Sequence, residues 1–341
     1  MKNGQTGRMT NGEIDRAGAV LKSSDPATDE YEHALSLVNE WRSLHKAPLN
    51  TFQIALRKKA VKIDVGYVFA QRLKKMKSIK EKLVRYSKMK LSTMQDIGGC
   101  RVVLSDVEKV YELRNVYCSS GIKHKLIGED DYIASPRNSG YRSFHLVFRY
   151  SSKNPAWDGL KVEVQLRTRL QHIWATAVET ASLLSETSLK ASVGEEDWLR
   201  FFALASSCFA LQEKCAPVPN TPNTMDEIRR ELKLLDERND FLTKFEALNA
   251  FGKYADSKDA FNKDYYLLYI NKSERLYRAI GYTKKQYEQA YSRYVTWEKT
   301  ENSVDSVVLV ATNSFDSLKS AYPNYFADMR EFITAIRNIL N

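Results

Sequence analysis

The pattern of hydrophobic and polar positions changes its period several times along the chain. Alternation with a period of two over 141–150 and 160–167, and an apolar run over 97–104, predict three strands. Helical spacing of apolar residues predicts helices over three further segments: 65–90, 107–118 and 168–189. Because strands and helices alternate, the pattern predicts an α+β domain over residues 29–190.

The segments that flank this domain differ from it in composition. Residues 1–28 are polar and aperiodic, which predicts a flexible tail. Residues 191–215 predict a helical connection, and the proline-rich residues 216–224 predict a linker. Residues 225–341 predict a C-terminal helical and small α+β module, with elements in this order: a helix (225–251), a strand (265–270), a helix (283–299), a strand (306–312) and a helix (315–340).

Composition restricts the class of protein. Hydrophobic residues make up 43% of the chain and charged residues 28%, a balance that excludes a mostly disordered protein. No apolar run approaches the roughly 20 residues of a membrane span. Since the N-terminus has no apolar signal segment, we expect a cytoplasmic protein without a membrane partner. The four cysteines form no CxxC pair and are expected to be reduced, buried thiols.

The net charge of +10 favours a polyanionic partner. Much of this charge lies in residues 72–90, where Glu81 is the single acid among many lysines and arginines. Such cations suit a polyphosphate chain, although an RNA backbone or a merely solvated face remains an alternative.

Two carboxylates are candidates for chemistry. Asp96 directly precedes the predicted strand 97–104, and Glu163 lies on the predicted strand 160–167. Together they could hold Mg²⁺, which prefers hard oxygen ligands and commonly combines one or two carboxylates with substrate phosphates. Taken singly, Asp96 could instead cap a turn, and Glu163 could belong to an ordinary solvated sheet face.

Two predicted strands, 141–150 and 160–167, each have polar side chains on one face. Tyr141, Ser143 and His145 share a face opposite Arg142, Phe144 and Leu146, and Glu163, Gln165 and Arg167 alternate with apolar residues. Tyr141 follows a turn that contains Asn138 and Gly140, and at such a position an aromatic ring can stack on a nucleobase. Packing of Tyr141 beside a plain β-turn is the alternative.

Four blocks in a fixed order identify a family. The chain resembles the RelA/SpoT synthetase family, which makes the alarmones ppGpp and pppGpp, over about residues 35–185. The resemblance rests on these blocks: RLKKMKSIKEKL (72–83), QDIGGCRVV (95–103), DYIASPRNSGYRSFHL (131–146) and VEVQLRT (162–168). It implies a nucleotidyltransferase-like domain with a mixed five-stranded sheet flanked by helices.

The resemblance also implies roles for individual residues. Asp96 and Glu163 would be the catalytic residues, with Asp96 as a Mg²⁺ ligand and Glu163 placed to bind the metal or to activate the acceptor 3′-hydroxyl. The implied contacts to ATP come from these residues: Arg72, Lys74, Ser78, Lys82 and Arg101. The implied contacts to the acceptor come from a second set: Arg137, Asn138, Tyr141, His145, Gln165 and Arg167. Arg137 stands where the family usually has Lys, so acceptor contacts are expected to differ there.

The implied reaction transfers the β,γ-pyrophosphate of ATP to the 3′-hydroxyl of GDP or GTP and releases AMP. Alternative readings within the family are a toxic enzyme of a toxin–antitoxin or phage-defence system, which modifies the 3′ end of tRNA or makes adenosine alarmones. A catalytically silent RNA-binding protein is a third hypothesis, against which the presence of both Asp96 and Glu163 counts. No hydrolase domain is expected before residue 29. We expect the C-terminal module to inhibit the enzyme, to sense a protein trigger or antitoxin, or to pair with a second copy through the heptad-like helix 225–251.

Overall fold

The computed structural model describes residues 9–23, 26–184, 195–251, 253–256, 263–271, 276–299, 306–311 and 329–341. The helices are α1 (Asn11–Ser23), α2 (Asp29–Leu44), α3 (Lys46–Ile63), α4 (Met76–Arg85), α5 (Val107–Cys118), α6 (Arg169–Leu184), α7 (Glu195–Gln212), α8 (Met225–Asn239), α9 (Phe241–Phe251), α10 (Tyr287–Lys299) and α11 (Arg330–Leu340). The strands are β1 (Val68–Leu73), β2 (Gly98–Leu104), β3 (Lys125–Asp131), β4 (Phe144–Arg149), β5 (Lys161–Thr168), β6 (Lys253–Asp256), β7 (Tyr265–Asn271), β8 (Leu276–Tyr282) and β9 (Ser306–Ala311).

A mixed sheet organises the part of the chain that the structure describes. The nine strands found there follow the order β3-β4-β5-β2-β1-β9-β7-β8-β6. β2 and β5 run parallel, as do β6 and β8, whereas the other neighbours are antiparallel. The α+β class with a mixed sheet is therefore confirmed. The expected strand count is wrong, because β9 pairs with the edge of the five-stranded half at Gln71 and Arg72 of β1.

One face of the five-stranded half is covered by α3 and α5. The buried core there includes Phe52 and Leu56 of α3, Leu113 of α5 and Phe148 of β4. Gly98 lets α3 approach β2, since a β-carbon at that position would lie 3.2 Å from Cβ of His45. The alternating side chains of β2 and β5 leave the polar positions on the opposite face.

Helices α6, α7, α8, α9 and α11 share a second hydrophobic core. Aromatic rings dominate this core, and they include Trp198, Phe202, Phe245 and Phe332. Residues 216–224 pack against it rather than acting as a spacer, because Val218 is buried and its backbone N–H donates to Oγ of Ser207 at 2.9 Å. The expectation of a separate module that starts at residue 225 is therefore corrected: the C-terminal segments complete the same core and the same sheet.

The expected tail 1–28 contains the helix α1. Thr10 and Glu13 form reciprocal bonds at its start, with Glu13 N donating to Thr10 Oγ1 at 3.2 Å and Thr10 N donating to a Glu13 carboxylate oxygen at 2.7 Å. Ile14, Ala17 and Leu21 are buried against α2 and α4. The tail expectation does not hold for Asn11–Ser23, and residues 1–8 lie outside the described residues.

The expected helix 65–90 is a strand followed by a shorter helix. Val68–Leu73 forms β1 because it pairs along its whole length with β2, a partner that local periodicity cannot reveal. Lys75 then has extended backbone angles (φ −60°, ψ 145°), and α4 begins at Met76. Arg72 and Lys74 consequently lie at the end of a strand and not on a basic helix.

The expected helix 225–251 is broken at Asp240. Asp240 has left-handed backbone angles (φ 53°, ψ 41°) that end α8, and α9 follows directly. Ile228, Leu232 and Leu235 are buried against the chain's own helices. The face that was expected to pair with a second copy is therefore already occupied. The final expected helix is seen as α11, whereas 312–328 lie outside the described residues.

The burial of the cysteines agrees only in part with the prediction of reduced, buried thiols. All four cysteines are free thiols, but Cys118 and Cys215 are half-buried whereas Cys100 and Cys208 are buried.

None of the helices in the described ranges combines the length and apolar character that a bilayer crossing requires.

We predict that Gly140→Ala destabilises the protein more than Gly121→Ala. Both glycines have positive φ, but a β-carbon at Gly140 would lie 2.8 Å from Trp174 and 2.9 Å from Ser206, whereas none of the described atoms lies within 4 Å at Gly121. We expect a loss of about 1 kcal/mol in unfolding free energy at Gly121 and about 2–4 kcal/mol at Gly140, measured by urea denaturation. Equal losses would contradict the crowding described for Gly140.

Candidate active site

A polar cleft opens on the sheet face opposite α3 and α5. Residues from β1, β2 and β5, together with the segments beside them, line this cleft: Ala70, Arg72, Lys74, Asp96, Gly99, Cys100, Arg101, Glu163 and Gln165. Strand register explains part of this set, because Gly99 of β2 stands between Arg72 of β1 and Glu163 of β5. Since glycine has no side chain, the face stays open between the cation and the carboxylate.

Asp96 is held by two lysines from different elements. Its carboxylate lies 2.8 Å from Nζ of Lys74, which follows β1, and 3.1 Å from Nζ of Lys82 on α4. The backbone N–H of Lys74 also donates to the carbonyl of Ile97 at 2.8 Å, which ties the end of β1 to the start of β2. Burial by itself would raise the pKa of Asp96, but the charges of Lys74 and Lys82 hold this pKa below its ordinary value. Asp96 is therefore a carboxylate at neutral pH.

Glu163 is part of a closed ring of hydrogen bonds. His145 Nδ1 lies 3.0 Å from Glu163 Oε1, and Gln165 Nε2 donates to Glu163 Oε2 at 2.7 Å. Tyr141 Oη lies 2.8 Å from Nε2 of His145. Nη2 of Arg167 closes the ring, since it donates to Tyr141 Oη at 2.6 Å and to Gln165 Oε1 at 3.2 Å.

Two donors in the ring follow from the chemistry of their partners. Arg167 can only donate, so Tyr141 Oη accepts from it, and the ionised Glu163 can only accept, so Nδ1 of His145 donates to it. In the bond between Tyr141 Oη and His145 Nε2, either atom can be the donor. Burial would raise the pKa of Glu163, and the neighbouring Asp96 acts in the same direction, yet the bonds and charge of His145 and the bond from Gln165 hold this pKa below its ordinary value.

Arg167 brings a buried positive charge to this ring. The side chain is only 3% exposed, and its Nε and Nη1 atoms have no hydrogen-bond partner among the described residues. Its guanidinium carbon lies 5.1 Å from the centre of the Tyr141 ring. An anionic or carbonyl group that reached these nitrogens would satisfy both of them.

The turn before Tyr141 is held by segments far along the chain. Ser206 Oγ of α7 donates to the carbonyl of Gly140 at 2.6 Å, and Trp174 Nε1 of α6 donates to the carbonyl of Phe202 at 2.7 Å. Arg142 donates to the carbonyls of Ile133 and Ala216. Sequence reasoning missed Ser206 and Arg142, and only the folded chain shows that they belong to this turn.

The structure brings most of the expected residues together. Six of them line the cleft, namely Arg72, Lys74, Asp96, Arg101, Glu163 and Gln165. Lys82 joins them through Asp96, whereas Tyr141, His145 and Arg167 join through the ring. Ser78 is half-buried on α4 and is not among the residues that line the cleft.

Arg137 and Asn138 lie on the exposed turn beside the ring. Arg137 Nη2 donates to Tyr132 Oη at 2.7 Å, and its guanidinium carbon lies 4.5 Å from the centre of the Tyr132 ring. Tyr132 in turn makes an edge-on contact with Tyr141 at 5.9 Å between ring centres. Tyr132 was not singled out in the sequence, although it lies in the same block as Tyr141.

Comparison with known proteins agrees with this arrangement. A family model described as a region found in RelA/SpoT proteins matches residues 71–185. The chain is 34% identical over 108 residues to GTP pyrophosphokinase YjbM of Bacillus subtilis, covering 31% of this chain and 51% of that protein. It is 30% identical over 111 residues to GTP pyrophosphokinase YwaC of the same organism, covering 31% and 52%. The chain thus spans about half the length of the curated relatives that it matches.

Among solved structures, the chain is similar to small alarmone synthetase 1 from Bacillus subtilis bound to its product pppGpp. The identity is 30%, the TM-score is 0.36, and the match covers 43% of this chain and 73% of that one.

We predict that the double variant Lys74→Met/Lys82→Met raises the pKa of Asp96. The burial that disfavours the charged carboxylate would remain, whereas the two cations that oppose it would be gone. A carboxyl NMR titration, assigned with Asp96→Asn, measures this pKa directly. Lys77→Met/Lys80→Met on the same helix is the control, because it removes equal charge without touching Asp96.

The same shift gives a pH dependence of stability. Because the folded pKa of Asp96 is depressed, its contribution is present above the unfolded pKa of about 3.9 and is lost as the pH falls through the lower folded value. Chemical denaturation of the protein and of Asp96→Asn should therefore differ at pH 7 and converge in acid. An unchanged pKa in the double variant would contradict the ion pairs described here.

Proposed function

We propose that the chain, whose residues 71–185 match a region found in RelA/SpoT proteins, is a nucleotide pyrophosphokinase. It transfers the β,γ-pyrophosphate of ATP to the 3′-hydroxyl of GDP or GTP. One observation carries this proposal above the others: Asp96 and Glu163, both ionised, line one cleft with Arg72 and Arg101. Two carboxylates among cations suit a reaction in which negative charge on phosphoryl oxygens must be neutralised.

The donor half of the cleft is the strongly cationic one. Arg72, Lys74 and Arg101 line it, and Lys82 reaches it from α4. A triphosphate that enters this half offers new partners to Lys74 and Lys82, which are paired with Asp96 in its absence. We therefore assign the ATP phosphates to these four side chains, with Ser78 as a further candidate on α4.

The donor set fits Mg²⁺. Asp96 and Glu163 supply hard carboxylate oxygens that line one cleft, and among the described residues no group of three or more His, Cys, Asp or Glu is arranged to hold a metal ion. Two carboxylates with the remaining positions filled by phosphate and water form a usual magnesium environment. Bound there, Mg²⁺ would neutralise charge on the phosphates of ATP.

The acceptor half is the ring around Glu163. The 3′-hydroxyl of the acceptor would approach Glu163, whose orientation His145 and Gln165 fix. A new bond forms between O3′ and the β-phosphorus, the bond between that phosphorus and the bridging oxygen to the α-phosphate breaks, and AMP leaves. Because the pKa of Glu163 is depressed, its carboxylate is a weak base that mainly orients the hydroxyl and accepts its proton late.

Aromatic and cationic groups beside the ring supply the rest of the acceptor site. Tyr141 and Tyr132 present their rings next to Arg137, and Arg167 lies below Tyr141. We propose that the guanine stacks on Tyr141 and that Arg137, Asn138 and Arg167 contact the acceptor, since base stacking and guanidinium forks are suited to a nucleotide.

A second acceptor, the 3′ end of tRNA, is favoured by one observation. Lys77, Arg85, Lys88 and Lys90 are all exposed on α4 and the segment after it, in a chain whose net charge is +10. Such a surface would attract a long phosphate backbone as well as a nucleotide.

Transfer of label identifies the acceptor. The protein is incubated with Mg²⁺ and ATP labelled at the γ-phosphate, together with GDP, GTP, an adenine nucleotide or deacylated tRNA. Label in the guanine nucleotide supports the proposal, and label in tRNA or in the adenine nucleotide supports the alternative acceptors. The absence of transfer to every acceptor would overturn both.

We predict that Glu163→Gln and Asp96→Asn each reduce transfer at least about a hundredfold while the fold is retained. Each variant keeps the shape of the side chain and removes one of the two negative charges that face the cleft. Initial rates of label transfer measure the effect, and circular dichroism checks the fold. Glu81→Gln makes the same change on an exposed residue of α4 and should leave the rate unchanged. Near wild-type transfer by either cleft variant would refute the assigned mechanism.

A further inference from the structure

Helix α10 touches the donor half of the site although it lies outside residues 71–185. Glu298 Oε1 accepts a hydrogen bond of 2.7 Å from the backbone N–H of Met76, the first residue of α4, across 222 residues of sequence. The residue before Met76 is Lys75, whose side chain has no acceptor atom with which to cap a helix. A carboxylate from a distant helix therefore supplies the cap that the local sequence lacks.

Glu298 is itself held rigidly. Both Nη1 and Nη2 of Arg42 on α2 donate to Glu298 Oε2 at 2.9 Å, and Tyr294 Oη donates to Oε1 at 2.7 Å. The Arg42 side chain is completely buried, and that of Glu298 is 9% exposed. Because this ion pair is buried and bonded at both oxygens, the carboxylate has one position available to it.

That position controls the segment that carries the donor cations. Lys74 lies two residues before Met76, and Lys82 lies on α4, so the start of α4 sets the distance from both ammonium groups to Asp96. On the other side of the same segment, Val310 of β9 pairs with Arg72 of β1. The C-terminal elements therefore hold residues 72–76 from both ends.

We infer that Glu298 is a positioning residue for the phosphate donor: by capping α4 it places Lys74 and Lys82 for the triphosphate. This inference rests on the proposed function, because it needs ATP to bind in the cationic half of the cleft. It predicts a selective effect on ATP, since Glu298 contacts the start of α4, whereas the acceptor half around Glu163 is built by β4 and β5.

Two double variants separate the cap from the buried ion pair. Arg42→Met/Glu298→Gln removes both charges and keeps an oxygen that can accept from Met76, whereas Arg42→Met/Glu298→Met removes the oxygen too. Replacing both members avoids the large cost of leaving one buried charge unpaired. The difference between the two variants therefore reports on the cap.

The readout is the dissociation constant of a non-hydrolysable ATP analogue, compared with that of GDP, on the full chain. We expect the methionine pair to weaken binding of the ATP analogue about tenfold and the glutamine pair to keep it within about twofold, with GDP unchanged in both. Glu288→Gln on the same helix is the matched control, because the Glu288 side chain is 85% exposed and pairs only with Lys46 among the contacts described. It should alter neither constant.

A milder variant keeps the test decisive if the methionine pair does not fold. Tyr294→Phe leaves the ion pair intact and removes one hydroxyl that fixes Glu298 Oε1, so binding of the ATP analogue should weaken about two- to threefold with GDP unchanged. Equal weakening of both nucleotides by the variant that folds would overturn the inference, as would unaltered binding of the analogue. Failure of the unmodified protein to bind the analogue would overturn the proposed function itself.

Discussion

The site depends on two ionised carboxylates that line the same half-buried cleft. Asp96 and Glu163 repel each other, and burial disfavours the charge on both. The protein stabilises them separately, with two ammonium groups at Asp96 and a ring of directed hydrogen bonds at Glu163. Under the proposed function, this division would let the lysines exchange a carboxylate for a phosphate while Glu163 keeps its orientation.

Local sequence was sufficient wherever the period of the pattern was unambiguous. β2, β4 and β5 were predicted because apolar residues alternate or run continuously there, and the same alternation put His145 and Glu163 on the same face of the sheet. It failed for β1, since Leu73, Met76 and Ile79 also fit a helix and only pairing with β2 makes 68–73 a strand. The Thr10–Glu13 capping pair was a readable signal for α1 that was overlooked.

The larger errors concern partners that are distant in sequence. The chain was expected to carry a separable module after residue 224, yet β9 extends the sheet at β1. Ser206 and Ala216 bond to the residues on either side of Tyr141, and Glu298 bonds to the start of α4. The spacing of apolar residues in a strand such as β9 does not indicate which strand it will pair with, because the pairing depends on the sheet edge that the strand meets in the folded chain.

The contact between α10 and α4 has a consequence for the biosynthesis of the protein. Chains emerge from the ribosome N-terminus first, so the cationic segment is made long before the helix that caps it, 222 residues later. A nascent or prematurely terminated chain would hold the catalytic carboxylates without the completed grip on a triphosphate. Under the proposed function, dependence on this later-made helix would delay tight binding of ATP until residue 298 has been synthesised and α10 has folded.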